Sequence, residues 1–309
     1  MGTFVSIGNG TQSFARLLDK VAEIAPSLPQ PVIVQHGNTP FAYGSIESFD
    51  FVAEARFEQL LAECQLFITH GGGGSVFAAL RHGKKPVVAP RLKAFDEIVD
   101  DHQIAFVDEL ARQGLVHPLR DVAELSDVAQ KALKDPKLAE KFEGSASAAL
   151  TIKQAVDDFA PGGGKVLLVT PSGGHLSEIR ALRNCYADRP HLYVLNAPIV
   201  EPADMQGRTR IIALSQRDWK FLLNLAEAFA IIRRERPAVI LTTGGGFSVA
   251  FALMGKLFGV KTVYVETVAK VNVPTVTGKI MYRLAERFFY QWPYLEPFFP
   301  KGEYVGLIL

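Results

Sequence analysis

The chain has 309 residues, of which 48% are hydrophobic and 21% charged, with a formal net charge of +1 at pH 7. This composition indicates a folded chain long enough for two domains and excludes an intrinsically disordered protein. The two cysteines form no CxxC or zinc-ligand pattern, so we expect no disulfide, no structural metal and a cytoplasmic location.

The charge is distributed unevenly along the chain. Residues 1–158 contain 15 basic and 21 acidic side chains, whereas residues 159–309 contain 18 and 11. A basic half suits nucleic acid, an anionic membrane surface or a phosphate-bearing substrate, although a solvated face without function is equally consistent. The first residues lack the pattern of a signal peptide, and no run of about 18 apolar residues occurs, so we expect no membrane-spanning segment.

Short apolar runs alternate with helical patterns along the whole chain. Strands are predicted at 4–7, 31–34, 66–69, 86–89, 166–170, 191–195, 210–214, 239–242 and 262–265. Helices are predicted over 14–23, 51–64, 75–81, 102–113 and 145–158. The alternation predicts the α/β class, with two Rossmann-like domains whose parallel sheets face each other across a ligand cleft. We place the domains at 1–158 and 165–309, joined by a glycine-rich linker at 159–164.

Three glycine-rich turns follow predicted strands, at 69–75, 171–175 and 242–246. Glycines let the backbone approach a phosphate, and the N-terminus of the next helix presents unpaired N–H groups to it. None of the turns fits the dinucleotide fingerprint GxGxxG or the Walker pattern GxxxxGK[ST], which disfavours NAD binding and ATP hydrolysis. Taken alone, such a turn more often forms an ordinary strand-to-helix connection than a phosphate site.

The first half carries a more specific pattern: HGGGGS at 70–75, GKKPVVAPR at 83–91 and ExxxDHQ at 97–103. In this order the segments resemble the donor half of inverting glycosyltransferases of family 28. The resemblance implies that the glycine turn holds the diphosphate of a UDP-sugar and that the polar pair His102-Gln103 reaches the transferred sugar. The implied donor-binding residues are Gly8, Asn9, Gly10, Thr11, Gln35, His36, His70, Gly71, Gly72, Gly73, Gly74, Ser75, Arg91, Glu97, Asp101, His102 and Gln103.

The second half resembles the membrane-associated acceptor subunit of the same systems. The matching segments are 172–178, 242–247, 264–269, 277–279 and 291–293. The resemblance implies a GT-B enzyme that fuses a donor part and an acceptor part, as in the dolichol-linked N-acetylglucosamine transferase, and it is closest in kind to exopolysaccharide glucuronosyltransferase pairs. It also implies a polyprenyl-diphosphate-linked saccharide as acceptor, and no cofactor or obligatory metal. The implied acceptor-binding residues are Ser172, Gly173, Gly174, Glu178, Gly244, Gly245 and Gly246.

Inversion at an anomeric carbon requires a base that takes the proton of the acceptor hydroxyl. His175 is the first candidate because it follows the second glycine turn and titrates near neutral pH. Glu266, at a predicted strand end, is the second. Alternatively, His175 binds acceptor phosphate or caps its helix, and Glu266 pairs with a nearby lysine.

Attachment to the membrane is expected from the helix that begins near residue 215. Aromatic and leucine side chains beside cations are typical of an interfacial helix, and the arginine cluster at 233–236 is suited to lipid phosphates. The same apolar residues also suit a crossover helix that covers the sheet. The implied membrane residues are Arg217, Trp219, Lys220, Phe221 and Leu222.

We therefore predict a peripheral enzyme on the inner face of the cell membrane that transfers a sugar from UDP in exopolysaccharide or glycolipid assembly, without nucleic acid. Several relatives carry a ribose-binding Glu where this chain has Ala78, and exopolysaccharide glucuronosyltransferases tend to lack it. Glucuronic acid is therefore the favoured donor sugar, with glucose and N-acetylglucosamine as alternatives and Arg91 or Lys93 as the cation for its carboxylate. A UDP-sugar epimerase and a non-catalytic sugar-nucleotide-binding subunit are the competing classes.

Overall fold

The computed structural model describes residues 2–135, 137, 142, 144–197, 199, 202–213 and 219–308. The chain divides into two compact units, Met1–Glu143 and Gly144–Leu309. Helix α6 (Ala146–Phe159) packs within the second unit, where the Ser145 N–H just before it donates to the Leu307 carbonyl at 2.7 Å. The boundary between the two units thus lies before α6, whereas the boundary predicted from the sequence, at residue 158, lies at its end.

The first unit is a six-stranded parallel sheet with helices on both faces. Its strands are β1 (Thr3–Ser6), β2 (Val32–Gln35), β3 (Glu47–Phe49), β4 (Leu66–His70), β5 (Val87–Ala89) and β6 (His117–Pro118), in the order β3-β2-β1-β4-β5-β6. Its helices are α1 (Ala15–Ile24), α2 (Glu54–Glu63), α3 (Gly73–Arg81), α4 (His102–Arg112) and α5 (Leu125–Lys134). The order reverses direction between β1 and β4, which makes the carboxyl ends of these strands a topological switch point.

The second unit is a seven-stranded parallel sheet. Its strands are β7 (Val166–Val169), β8 (His191–Leu195), β9 (Thr209–Ile211), β10 (Val239–Thr242), β11 (Lys261–Val265), β12 (Arg287–Tyr290) and β13 (Glu303–Tyr304), in the order β13-β12-β11-β10-β7-β8-β9. Its further helices are α7 (Gly174–Ala181), α8 (Lys220–Glu235), α9 (Ser248–Phe258) and α10 (Val276–Leu284). Here the switch point lies between β7 and β10. The connections from β9 to β10, β11 and β12 all run in one direction along the sheet, so α8, α9 and α10 lie side by side on one face.

Each unit has its own apolar core, because every central strand is buried on both faces. In the first unit Val5 faces α1 and α5, while its neighbour Phe4 faces α2 and α3. In the second unit Val169 and Ile240 pack against α8 and α9. The α/β class with two Rossmann-like units is thus confirmed. None of the described helices is long and apolar enough to cross a bilayer.

Candidate functional site

In the first unit, two expected donor loops begin side by side at the switch point. The loop after β1 starts at Ile7, whose N–H donates to the Gln35 carbonyl, and turns at Gly8 with φ 71°. The turn after β4 ends at Gly72, which caps α3. The N–H groups of the first helical turn have no acceptor within a helix. Those of Gly73, Gly74 and Ser75 therefore form a positively polarised end that is suited to an anion.

His70 lies between these two loops, and its ring leaves no room for a side chain at positions 8 and 72. A Cβ on Gly8 would overlap the His70 ring, and so would a Cβ on Gly72. Burial, together with the charge of Arg91, lowers the pKa of His70 to about 3. The imidazole is therefore neutral at physiological pH, and it acts as a spacer that sets the separation of the loops.

Arg91 is a buried tie between loops, a role that the sequence did not predict. Its guanidinium donates to the carbonyls of Ile7 at 3.0 Å, Gln12 at 2.8 Å, Ser13 at 3.3 Å and Glu97 at 3.3 Å. Burial lowers the pKa of Arg91 to about 10, which leaves it charged at neutral pH. Because carbonyls already use these donors, Arg91 holds the loop after β1 in place.

The ExxxDHQ segment is organised by hydrogen bonds that its side chains accept from neighbouring segments. Glu97 is buried and accepts two hydrogen bonds from Arg16, at 2.7 and 3.0 Å, so Arg16 is a site residue that sequence reasoning missed. Gln103 is also buried and accepts the Arg91 N–H at 2.9 Å. Asp101 accepts the Lys93 N–H at 2.8 Å. The side chains of this segment therefore hold the loops of the site together, and their polar atoms are used within the protein.

The remaining donor residues lie at the rim. The His102 ring, at the start of α4, hydrogen-bonds Asp100, which the sequence did not single out. Gly71 lies against Gln103: a Cβ added to Gly71 would be 3.0 Å from the Cβ of Gln103. The other expected residues lie at the carboxyl ends of β1 and β2. Asn9, Gly10 and Thr11 are exposed in the loop after β1. Gln35, the last residue of β2, accepts the Ser6 hydroxyl at 2.8 Å, and the ring of His36 stacks on Phe41.

In the second unit, two further glycine turns meet at the switch point. Gly173, with φ 96°, precedes α7, and Gly244 and Gly245, with φ 119° and 89°, lie between β10 and α9. The Thr243 hydroxyl donates to the His175 carbonyl at 3.1 Å. A Cβ on Gly244 would lie 3.5 Å from the His175 ring. The half-buried imidazole of His175 therefore lies beside both turns.

Asn196, which sequence reasoning missed, fixes the first of these turns. It follows β8, and its side-chain oxygen accepts the Ser172 N–H at 3.0 Å. Gly246 continues the second turn, and its carbonyl accepts the Val249 N–H at 3.4 Å. Glycine-rich stretches are visible in a sequence, whereas the asparagine of a neighbouring strand carries no such signal.

Two buried carboxyl groups lie behind the turns. Glu178 on α7 accepts the Thr267 hydroxyl at 2.6 Å and the Gln291 amide at 3.3 Å, and burial raises its pKa to about 8. Glu266 accepts the Thr267 N–H at 3.1 Å and the Thr275 hydroxyl at 3.0 Å, and burial raises its pKa to about 7. Both side chains are buried. Glu266 directly follows β11 at the carboxyl edge of the sheet, where it was expected, but its carboxyl group is enclosed by its neighbours.

The expected membrane helix has a mixed surface. Trp219 is 68% exposed and Leu222 67%, whereas Phe221 packs partly against the core. Lys220 begins α8, and Arg217 lies outside the described residues. Across the described parts of the chain, no group of three or more His, Cys, Asp or Glu side chains could hold a metal ion.

Comparison with known proteins gives two family matches. Residues 4–158 match the glycosyltransferase family 28 C-terminal domain, and residues 205–308 match the family described as oligosaccharide biosynthesis protein Alg14 like. The chain is 28% identical over 178 residues to UDP-N-acetylglucosamine transferase subunit ALG14 of Homo sapiens, covering 47% of this chain and 82% of that protein.

Two further similarities were found. A UDP-N-acetylglucosamine--N-acetylmuramyl-(pentapeptide) pyrophosphoryl-undecaprenol N-acetylglucosamine transferase of Flavobacterium psychrophilum is 26% identical over 152 residues, covering 43% of this chain and 41% of that protein. The solution structure of ALG13 is 20% identical, covering 44% of this chain and 86% of that one, with a TM-score of 0.32.

Proposed function

The chain belongs to glycosyltransferase family 28, and on that premise we propose that it transfers a sugar from UDP to a saccharide carried on a polyprenyl diphosphate, with inversion. The observation that carries the proposal is the construction of two switch points, one in each unit, from glycine turns that precede helix N-termini. Each is suited to one diphosphate, that of the donor in the first unit and that of the acceptor in the second.

The donor diphosphate binds the N-terminus of α3. The N–H groups of Gly73, Gly74 and Ser75 face it, and the absence of side chains at Gly73 and Gly74 lets it approach the backbone. His70, which is neutral, and Arg91, whose guanidinium donates to carbonyls, position the two loops around it. His102, at the start of α4, reaches the sugar.

N-acetylglucosamine is the donor sugar that we propose. The human and Flavobacterium relatives are named for UDP-N-acetylglucosamine and N-acetylglucosamine transfer, respectively. The two arguments for glucuronic acid are weakened. Ala78 is 4% exposed in the core between α2 and α3, and Arg91 is engaged by carbonyls, which leaves Lys93 as the expected cation. Glucuronic acid and an exopolysaccharide setting become alternatives that the experiment below tests.

His175 acts as the general base in the proposed reaction. It removes the proton of the acceptor hydroxyl while that oxygen attacks the anomeric carbon from the face opposite the UDP oxygen. The bond from the anomeric carbon to the UDP oxygen breaks, and UDP leaves with the electron pair. The polarised N–H groups at the N-terminus of α3 stabilise the charge that develops on the departing diphosphate.

The N-terminal turns of α8 attach the protein to the inner face of the cell membrane. Trp219 and Leu222 are exposed there beside Lys220, a composition suited to the interface between headgroups and acyl chains. Replacing Trp219 and Leu222 with serine is expected to lower binding to vesicles and to leave UDP binding intact. Phe221, which packs on the core, is not a suitable target for that test.

The decisive experiment uses the purified full chain with a synthetic lipid-linked saccharide. UDP-N-acetylglucosamine, UDP-glucuronic acid and UDP-glucose are supplied in parallel, with and without EDTA, and the lipid product is separated and identified by mass. Transfer of N-acetylglucosamine supports the proposal, and transfer of glucuronic acid alone refutes the donor assignment. Conversion of the free UDP-sugar into its epimer supports the epimerase class, and UDP binding without turnover until a second protein is added supports a subunit role.

A further inference from the structure

A groove opens at the end of the second sheet that is remote from the glycine turns. It has a volume of about 320 Å³ and lies between the C-terminal ends of α8 and α9, where β10 and β11 begin. The glycine turns follow the opposite ends of β7 and β10, about 13 Å away along a strand of four residues. The groove lining consists of Ile232, Arg233, Arg236, Pro237, Phe258 and Val260.

The charge of the groove is positive and uncompensated. Arg233 and Arg236 are exposed, and neither has an ion pair or a side-chain hydrogen bond within the described portion of the chain. The nearest acid in sequence, Glu235, is engaged by Lys165 at 2.9 Å and by Arg234 at 3.3 Å. Two guanidinium groups beside an apolar wall are suited to a phosphate that belongs to an amphiphilic molecule.

Arg236 occupies a backbone conformation that favours glycine. It ends α8 with φ 45° and ψ 56°, in the left-handed region. The neighbouring helix α9 ends in the same conformation with Gly259, at φ 72°. Glycine adopts this conformation without strain, whereas an arginine does so at a cost. An arginine occupies this position in spite of the strain of its left-handed backbone, which points to a role for its charge.

Apolar side chains surround the groove and continue along α8. Phe258 is 40% exposed and contacts Phe229, itself 41% exposed, with 5.3 Å between ring centroids. Leu257 is 67% exposed. Leu222, Phe229 and Arg233 are spaced seven and four residues apart, so they share the outward face of one helix. This face therefore runs from the expected membrane contact at the N-terminus of α8 to the groove at its C-terminus.

We propose that the groove binds the phosphate of an anionic phospholipid through Arg233 and Arg236, while Phe229, Leu257 and Phe258 enter the acyl region. The inference extends the proposed membrane attachment from the first turns of α8 to the whole outer face of α8 and the end of α9. With both ends of α8 in contact, this helix lies along the bilayer surface. The assignment does not depend on which sugar is transferred.

The test is co-sedimentation of the purified full chain with phosphatidylcholine vesicles that contain or lack phosphatidylglycerol. Combining Arg233→Gln with Arg236→Gly is expected to weaken binding to phosphatidylglycerol vesicles roughly 30-fold, because each cation contributes about one kilocalorie per mole at an anionic surface. Arg234→Gln is the matched control: it removes the same charge from the same helix but leaves the groove lining intact, and we expect a smaller loss.

A single variant separates a structural role of Arg236 from a binding role. Arg236→Gly relieves the left-handed strain, so we expect a higher melting temperature together with weaker binding to phosphatidylglycerol vesicles. A variant that is stabilised and still binds these vesicles like the wild type overturns the proposal. So does an equal loss in the Arg234→Gln control.

Inorganic phosphate distinguishes a lipid from a free anion. We expect calorimetry to detect no binding of inorganic phosphate that depends on Arg233 and Arg236. The apolar wall of the groove stabilises only a bound amphiphile, so phosphate alone would bind too weakly. Phosphate binding that the double variant abolishes, with vesicle binding unchanged, overturns the lipid assignment. Loss of vesicle binding in the Trp219 and Leu222 variant alone, with the groove variants unaffected, also overturns it, whereas the proposed attachment by the first turns of α8 stands.

Discussion

The buried carboxyl group of Glu266 occupies the space that a side chain on Gly278 would need. A Cβ at position 278 would overlap Oε2 of Glu266, and it would approach the Thr275 hydroxyl to 2.9 Å. Thr275 caps α10 by accepting the Gly278 N–H at 2.7 Å and donates to Glu266 at 3.0 Å. The N-terminus of α10 therefore packs closely against the buried carboxyl group of Glu266.

Gly278→Ala is expected to destabilise the second unit by about 1–3 kcal/mol, because the added methyl group forces Glu266 or α10 to move. Thermal or urea unfolding of the purified chain measures the change. Gly174→Ala is the control, since no atom lies within 4 Å of a Cβ added there. Equal stability of the Gly278→Ala variant and the wild type would contradict the close packing of Glu266 against α10.

The buried acids predict that stability falls as the pH rises. Burial raises the pKa of Glu178 to about 8 and that of Glu266 to about 7, above the ordinary glutamate value. Between about pH 4.5 and these values the folded chain retains protons that the unfolded chain has released. The stabilisation is therefore complete below about pH 4.5, and it is lost as the pH rises from there through the folded values near 7 and 8.

Urea unfolding at pH 5, 6, 7 and 8 measures this dependence. Glu178→Gln, which keeps the shape of the side chain and removes its titration, is expected to flatten the decrease between pH 5 and 8. Glu303→Gln is the control, because that carboxyl group forms a half-exposed ion pair with Arg287. Because the lowered pKa of His70, about 3, makes stability rise with pH up to about 6.5, the measure is the difference between the wild type and Glu178→Gln. A difference that stays constant between pH 5 and 8 would show that Glu178 is ionised in the folded chain.

Gly73→Val is expected to abolish UDP binding to the first unit. Position 73 is the first residue of α3, where a branched side chain would stand between the diphosphate and the N–H groups of the helix N-terminus. Isothermal titration of the full chain with UDP measures the affinity, and circular dichroism confirms folding. Gly44→Val is the control in an exposed loop without neighbours within 4 Å. Unchanged affinity in a folded Gly73→Val chain would remove the donor site from α3.

His175→Ala is expected to lower kcat by about 100- to 10,000-fold with a small change in the KM of the UDP-sugar, as the loss of a general base does. Ser177→Ala, two residues further along α7, is the control. A phosphate-binding histidine would instead raise the KM of the acceptor and leave kcat near its original value. That result, together with a loss of kcat in Glu266→Gln, would transfer the role of base to Glu266.

Much of the fold and part of the candidate site follow from the sequence. Parallel strands buried on both faces are continuous apolar runs, such as Val166–Val169, so most of their positions were predicted from hydrophobicity alone. The strand Arg287–Tyr290 is also largely buried and apolar, but it was not predicted. Edge strands carry no such signal: Glu47–Phe49 is mostly exposed, and it was not predicted. Glycine turns were also predictable, because the need for residues without a Cβ at a strand-to-helix connection is local.

The roles of individual side chains were decided by tertiary structure. Arg91 was expected to meet a sugar, but it binds the carbonyl of Ile7, 84 residues earlier in the chain. Glu266 follows β11 at the sheet edge, as expected, but its carboxyl group hydrogen-bonds Thr267 and Thr275 and fills the space beside Gly278. Local hydrophobicity and backbone preference determine which segments become strands, helices and turns. Which polar groups stay exposed depends on contacts between segments far apart in the chain, and these exist only once the sheets have formed.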